Sequence, residues 1–200
     1  MPFSRGSPCR NSLPSPAVCG IICACGCIIE SANKKTESEL EDETNEMSSW
    51  NDPDRWAALC SGTACPICCR REPLDVVAKL EVCWVTMQEA APVPGYSCLV
   101  SQSHVVELHD LPDAAASAFM RDAQRVSRAL MAATGAVKLN YEIHGNSLPH
   151  LHMHFFPRYR GDQFEGQPID PRLVAQPVYG PGEFQRIRDA FLLALNSSAA

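Results

Sequence analysis

Seven consecutive residues, His150-Leu151-His152-Met153-His154-Phe155-Phe156, alternate imidazole with apolar side chains. In a β-strand successive side chains point to opposite faces, so His150, His152 and His154 project together. Leu151, Met153 and Phe155 project the other way, where they can pack on a helix. The chain holds 6 histidines in 200 residues, so such a run arises by chance in only about half a percent of chains of this composition. Extended geometry places successive imidazoles about 6–7 Å apart. That row suits an extended polar ligand such as a phosphate chain. It suits one metal ion poorly, because three ligands at i, i+2 and i+4 span too far to converge at about 2 Å each. Two other readings stay open: a surface strand with fortuitous histidines, and a metal site using two of the three with a histidine from elsewhere.

The remaining pattern predicts what surrounds this strand. Asp52-Pro53 reads as an N-cap with Pro at the first helical position, opening a short helix that stops near Ser61-Gly62. Strands are predicted over Val76–Leu80, Val82–Met87, Tyr96–Ser101, Val137–Ile143 and Leu151–Phe156, with turn chemistry at Ala90–Gly95. From about Pro112 to Thr134, Ala116, Phe119, Ala123, Val126, Leu130 and Ala133 recur at helical spacing, and Gly135 suits the C-cap. A last amphipathic helix covers about Glu183–Leu195. The order implies an α+β domain with a mostly antiparallel sheet, a long helix on one face and a C-terminal helix.

The domain is expected over residues 47–200. With 46% hydrophobic and 20% charged residues, the composition is that of a globular protein. A net charge of −6 argues against binding a nucleic-acid polymer or an anionic membrane, which calls for a basic face. A polyanionic substrate must then be held locally, by imidazoles, backbone N–H groups or a metal. Residues 1–46 differ, carrying 5 of the 11 cysteines and six carboxylates between Glu37 and Glu46. They read as a non-structural extension, a targeting segment, or a tether whose Cys19, Cys23, Cys25 and Cys27 carry lipid or bind metal. Membrane association is expected only in the lipidated case, and a cytoplasmic location unless the N-terminal extension targets or tethers the chain. Another reading makes Met47 the true start.

Cys65-Pro66-Ile67-Cys68 has the spacing of a redox pair or of half a zinc site. The preceding loop Ser61–Ala64 and the nearby Pro73 favour zinc, since redox pairs normally follow a strand and open a helix; two unligated cysteines are the third reading.

The segment His150–Phe156 resembles the signature of the histidine triad (HIT) superfamily of nucleotide hydrolases and transferases. Gly95–His104 is similar to that family's earlier strand, the long helix follows in family order, and Gly145-Asn146-Ser147 takes the place of its phosphate-contacting turn. The resemblance covers about residues 60–160. It implies a HIT-like fold in which His152 attacks the α-phosphorus of a nucleotide and the backbone carbonyl of His150 orients the attacking ring. His154 then serves as donor or general acid, while Gly145, Asn146, Ser147 and Asn140 bind the phosphate. A transferase branch has Gln where this chain has His154, so hydrolysis is the expected reaction, on dinucleoside polyphosphates or nucleoside phosphoramidates. The alternatives are a nucleotide-binding regulatory module and a zinc or redox protein.

Many relatives of this kind bear C-x-x-C near the domain start. The resemblance implies a structural Zn²⁺ on Cys65, Cys68, His104 and His150, with His109 on the surface, and it implies a homodimer. Gln88 and Glu89 stand where an acidic ribose-binding residue is common. The Gly- and Pro-rich residues 161–182 read as an extended tail that crosses a dimer interface or shapes the leaving-group pocket. Arg158 and Arg160 are expected either at distal phosphates or in solvent.

Overall fold

A computed structural model describes residues 49–197 and, before them, a two-residue antiparallel ladder of Ile21–Ile22 with Ile28–Ile29. The readings of residues 1–46 as extension, targeting segment or lipid tether otherwise lie outside the described residues. Among these no helix is long and apolar enough to cross a membrane.

Helix α1, Pro53–Cys60, starts where Asp52 accepts the Arg55 N–H at 2.9 Å. Helix α2 is a single short turn, Pro66–Arg70, so the C-x-x-C does open a helix, which ends at Arg71 in the left-handed region. Five strands follow: β1 Val76–Lys79, β2 Cys83–Thr86, β3 Ser97–Ser101, β4 Lys138–Glu142 and β5 His152–Arg158. They form one antiparallel sheet in the order β1-β2-β3-β5-β4. Helix α3, Asp113–Thr134, crosses one face, and α4, Glu183–Ser197, packs against α3.

Register assigns the two faces. Leu99 pairs with Met153 and Tyr141 with Phe155, and this side meets α3. Cys98 pairs with His154, Val100 with His152, Asn140 with Phe156 and Glu142 with His154, which builds the other side. On α3 the buried stripe is Ala118, Phe119, Asp122, Ala123, Val126, Ala129 and Leu130. Each large apolar member contributes about 1.5–3 kcal/mol by leaving water. The expected stripe is thus shifted: Ala116 and Ala133 lie at its half-buried margins, and a carboxylate stands inside it. Asp122 is there because its Oδ2 accepts the Val82 N–H at 3.0 Å, closing the β1–β2 turn. Burial and this carboxylate push the neighbouring Cys83 thiol far up.

The segment after β5 is not an extended tail. Arg158 is buried and binds Asp162 through Nε and Nη2 at 2.9 and 2.8 Å, while its guanidinium also reaches the Phe164 and Gln167 carbonyls. It therefore faces neither phosphate nor solvent, whereas Arg160 is exposed. The chain then turns back onto its own Ala90–Gly95 loop. Tyr159 Oη donates to Pro94 O at 2.8 Å, Gln176 Nε2 donates to Ala91 O at 2.9 Å, and Gly95 N–H donates to Tyr179 Oη at 2.9 Å.

Candidate active site and metal centre

His152 and His154 open strand β5 two positions apart on the face away from α3. Their rings do not stand in an evenly spaced row: the centroids are 4.7 Å apart, edge to face. Nor does His152 look out on open space, as each residue is 3% exposed. The physical reason lies in the neighbours. His154 has Tyr96 and Phe156 stacked at 6.0 Å and His144 at 5.5 Å, so aromatic side chains from β5, from the start of β3 and from the β4–β5 loop close over the strand.

Each ring is oriented by a hydrogen bond at Nδ1. His152 Nδ1 lies 2.6 Å from the backbone oxygen of His150, which can only accept. Nδ1 therefore carries the proton, and the lone pair of the neutral ring is on Nε2. His154 Nδ1 lies 2.7 Å from Tyr96 Oη and 3.4 Å from Cys98 Sγ. Tyr96, Cys98 and His144 were not singled out from the sequence. Tyr96 and Cys98 lie two apart on β3 and its entry, and Cys98 is the register partner of His154, a signal visible only once the β3–β5 pairing is known. His144 is fixed by Glu142 Oε2 at 2.9 Å, with Glu142 also opposite His154.

His150 leaves this group. Its N–H donates to Leu148 O at 2.8 Å, so the backbone turns before the strand begins, and its ring goes to the cysteines. Cys65 Sγ is 3.5 Å and Cys68 Sγ 3.7 Å from His150 Nδ1; Cys68 Sγ is 3.2 Å and His150 Nδ1 3.2 Å from His104 Nδ1. All four ligand atoms lie within 4.8 Å of one another, so this cluster could hold a metal ion. A tetrahedron with ordinary zinc–sulfur and zinc–nitrogen bonds has edges of about 3.6 Å (S to N) and about 3.4 Å (N to N), close to the spacings found.

The outer ring nitrogens complete the case. His104 Nε2 donates to Cys60 O at 2.9 Å and His150 Nε2 to Ser101 O at 2.8 Å, which turns both Nδ1 lone pairs inward. Burial is the main cause pushing the His150 pKa down, opposed by the Ser101 hydrogen bond and assisted by His104, so the ring is neutral, as a ligand must be. Cys69 is exposed, with its sulfur 3.7 Å from Thr63 O, and His109 is exposed; neither joins the cluster.

Asn140 lies on β4 on the face of the two histidines, but its side chain accepts from Lys138 Nζ at 3.3 Å. Gly145 has φ +101, which a side chain rarely adopts. Asn146 is exposed and Ser147 half-buried, and nothing ties either side chain to the two rings. Gln88 is half-buried and Glu89 exposed.

The HIT domain model matches residues 70–161. A histidine triad protein from Bradyrhizobium japonicum is 30% identical, with 60% of this chain and 89% of that chain covered and a TM-score of 0.53. One from Marinobacter aquaeolei is 23% identical over 61% of this chain and 88% of that one, also at TM-score 0.53. A zinc-bound histidine triad family protein from Mycobacterium smegmatis is 20% identical over 69% and 99%, at TM-score 0.51. These last two show the fold alone. No curated protein matches the chain.

Proposed function

The chain belongs to the histidine triad (HIT) family, and on that footing we propose that it hydrolyses nucleotides at the α-phosphate through a nucleotidyl-histidine intermediate. The observation that carries this reading is the 2.6 Å contact of His152 Nδ1 with the His150 carbonyl, because an acceptor there puts the proton on Nδ1 and leaves Nε2 as the nucleophilic atom of a neutral ring.

In the first step Nε2 of His152 attacks the α-phosphorus, the bond from phosphorus to the leaving oxygen or nitrogen breaks, and the leaving group takes a proton from His154. In the second, water attacks the phosphorus, the phosphorus–Nε2 bond breaks, and His154 recovers the proton. With both rings 3% exposed, the reaction proceeds away from bulk water, where hydrogen bonds to the phosphate oxygens are strengthened. Asn146 and Ser147 supply such bonds from the Gly145 turn. Dinucleoside polyphosphates and nucleoside phosphoramidates both carry such a bond at the α-phosphate and are the substrate classes proposed.

Zinc fits Cys65, Cys68, His104 and His150 as a structural ion with no open position. Bound there, it would cross-link the α1–α2 segment to the residue preceding the catalytic strand. His150 would then serve twice, by its ring in the metal set and by its carbonyl at His152.

The test is a panel of adenylate donors assayed for turnover and, after acid-free quenching, for a nucleotidyl mass increment on the peptide carrying His152. The expected result is an adduct in the wild type and none in His152→Ala. Nucleotide binding with neither adduct nor turnover would make the protein a binding module.

A further inference from the structure

Tyr96 and Cys98 belong to no step described so far, yet both are buried against His154. Tyr96 is 4% and Cys98 2% exposed. The Cys98 thiol donates to Tyr96 Oη at 3.2 Å, and Tyr96 Oη lies 2.7 Å from His154 Nδ1. A phenol that accepts a thiol proton at its oxygen directs its own O–H elsewhere, and the closest ring nitrogen is that of His154. With the Tyr96 O–H directed at this nitrogen, Nδ1 of His154 accepts and the ring proton resides on Nε2. This is the opposite tautomer from His152, whose Nδ1 donates to a carbonyl.

We propose that Tyr96, backed by Cys98, is a positioning residue that holds His154 as the Nε2–H tautomer: as Nε2 passes its proton to the leaving group, the Tyr96 hydroxyl proton moves to Nδ1, and both shifts reverse when a proton of the attacking water returns to Nε2. Two imidazoles 4.7 Å apart would otherwise be chemically equivalent. A carbonyl behind one and a hydroxyl behind the other divide nucleophile from acid. The entry to β3 keeps Tyr96 in place: Gly95 before it donates to Tyr179, and the Tyr96 ring packs on Phe156 at 5.0 Å. The inference rests on the hydrolase reading for its kinetic consequence but not for its structural one.

Two measurements on the full chain test it. In histidine-¹⁵N-labelled protein, with His154 assigned by His154→Gln, long-range proton–nitrogen correlation should show a pyridine-like Nδ1 and a pyrrole-like Nε2 at His154. The pattern should become mixed in Tyr96→Phe/Cys98→Ala. Kinetically, across adenosine 5′-phosphate aryl esters of graded leaving-group acidity, the double variant should match the wild type on nitrophenyl esters. It should lose about tenfold to a hundredfold on the poorest leaving group, the range in which a positioned acid matters. Tyr96→Phe alone should lose less, because Cys98 Sγ sits 3.4 Å from the same nitrogen.

A wild-type His154 protonated at Nδ1 overturns the proposal whatever the kinetics. So does a loss that is uniform along the ester series with the tautomer unchanged, which marks a packing role. Absence of turnover on every ester and on the whole panel of adenylate donors would sink the hydrolase reading, while the tautomer measurement still decides what Tyr96 does.

Discussion

His152 and His154 meet edge to face at 4.7 Å with their Nδ1 atoms anchored to chemically different partners, the His150 carbonyl and the Tyr96 hydroxyl. Replacing either ring should therefore give a different defect. On the proposed mechanism His152→Ala removes the attacking atom and should lower turnover by more than about a thousandfold, with no phosphorus–nitrogen adduct. His154→Ala should still form the adduct from donors with acidic leaving groups, yet lose at least about a hundredfold on poor ones. Equal loss of adduct in both variants would show that the rings do not divide the work.

The Cys65–Cys68–His104–His150 set makes a prediction that needs no substrate. Elemental analysis should find one zinc per chain, and removing it with a strong chelator should lower Tm by roughly 10 °C or more, since metal affinity here is also folding energy. Thiol labelling read by peptide mass should change in step. Cys69, exposed, reacts in both states; Cys68, half-buried, reacts only after chelation. Cys83, buried with its pKa pushed far up beside Asp122, reacts in neither. Cys68 labelling that is indifferent to chelation would exclude a metal at this place.

What the sequence made legible was whatever has a period or a fixed short spacing. The alternation in His150–Phe156 announces a strand, the threes and fours of Phe119, Ala123, Val126 and Leu130 announce α3, and C-x-x-C announces a pair of thiols. None of these reveals which strand lies next to which. Tyr96 and Cys98 therefore read as ordinary strand residues until β3 is laid against β5 and Cys98 falls opposite His154. Asp122 breaks an apolar stripe for a reason 40 residues away, the Val82 N–H. The turn-back of residues 159–179 depends on single hydrogen bonds to loop carbonyls, which no composition encodes. The early departure of His150 from the strand follows from the cluster that claims its ring.

Arg158 and Asp162 give the fold a titratable clasp. The Arg158 guanidinium holds the Asp162 carboxyl below the usual carboxylate range, with the Tyr159 and Phe164 N–H groups assisting. The ionised form is the one bound in the folded state. Its contribution is thus complete above the ordinary value of 3.8 and is withdrawn as pH falls through the lower folded value. Asp162→Ala should cost about 2–4 kcal/mol, because it leaves a guanidinium only 8% exposed without its partner. In this variant the acid-dependent fall in Tm below pH 4 should flatten. An unchanged Tm–pH profile would show that the clasp contributes nothing to stability.

Gly95 is the position where backbone conformation, helix packing and the site depend on one missing side chain. Its φ is +78, and a Cβ there would lie 2.5 Å from Thr134 Cγ2. Thr134 cannot swing away cheaply, since its hydroxyl donates to Leu130 O at 2.7 Å and accepts the Ala136 N–H at 3.2 Å. Gly95→Ala therefore combines left-handed strain with overpacking, about 2–4 kcal/mol together, or a Tm lower by roughly 4–16 °C for a chain of this size. Thr134→Ser removes the clashing methyl while keeping the hydroxyl. The double variant should recover the packing part of the loss and retain the backbone part. Because Tyr96 follows directly, Gly95→Ala should also disturb the His154 ring resonances, and Thr134→Ser should partly restore them. If Gly95→Ala instead melts as the wild type does, the close approach of the β3 entry to the end of α3 is wrong.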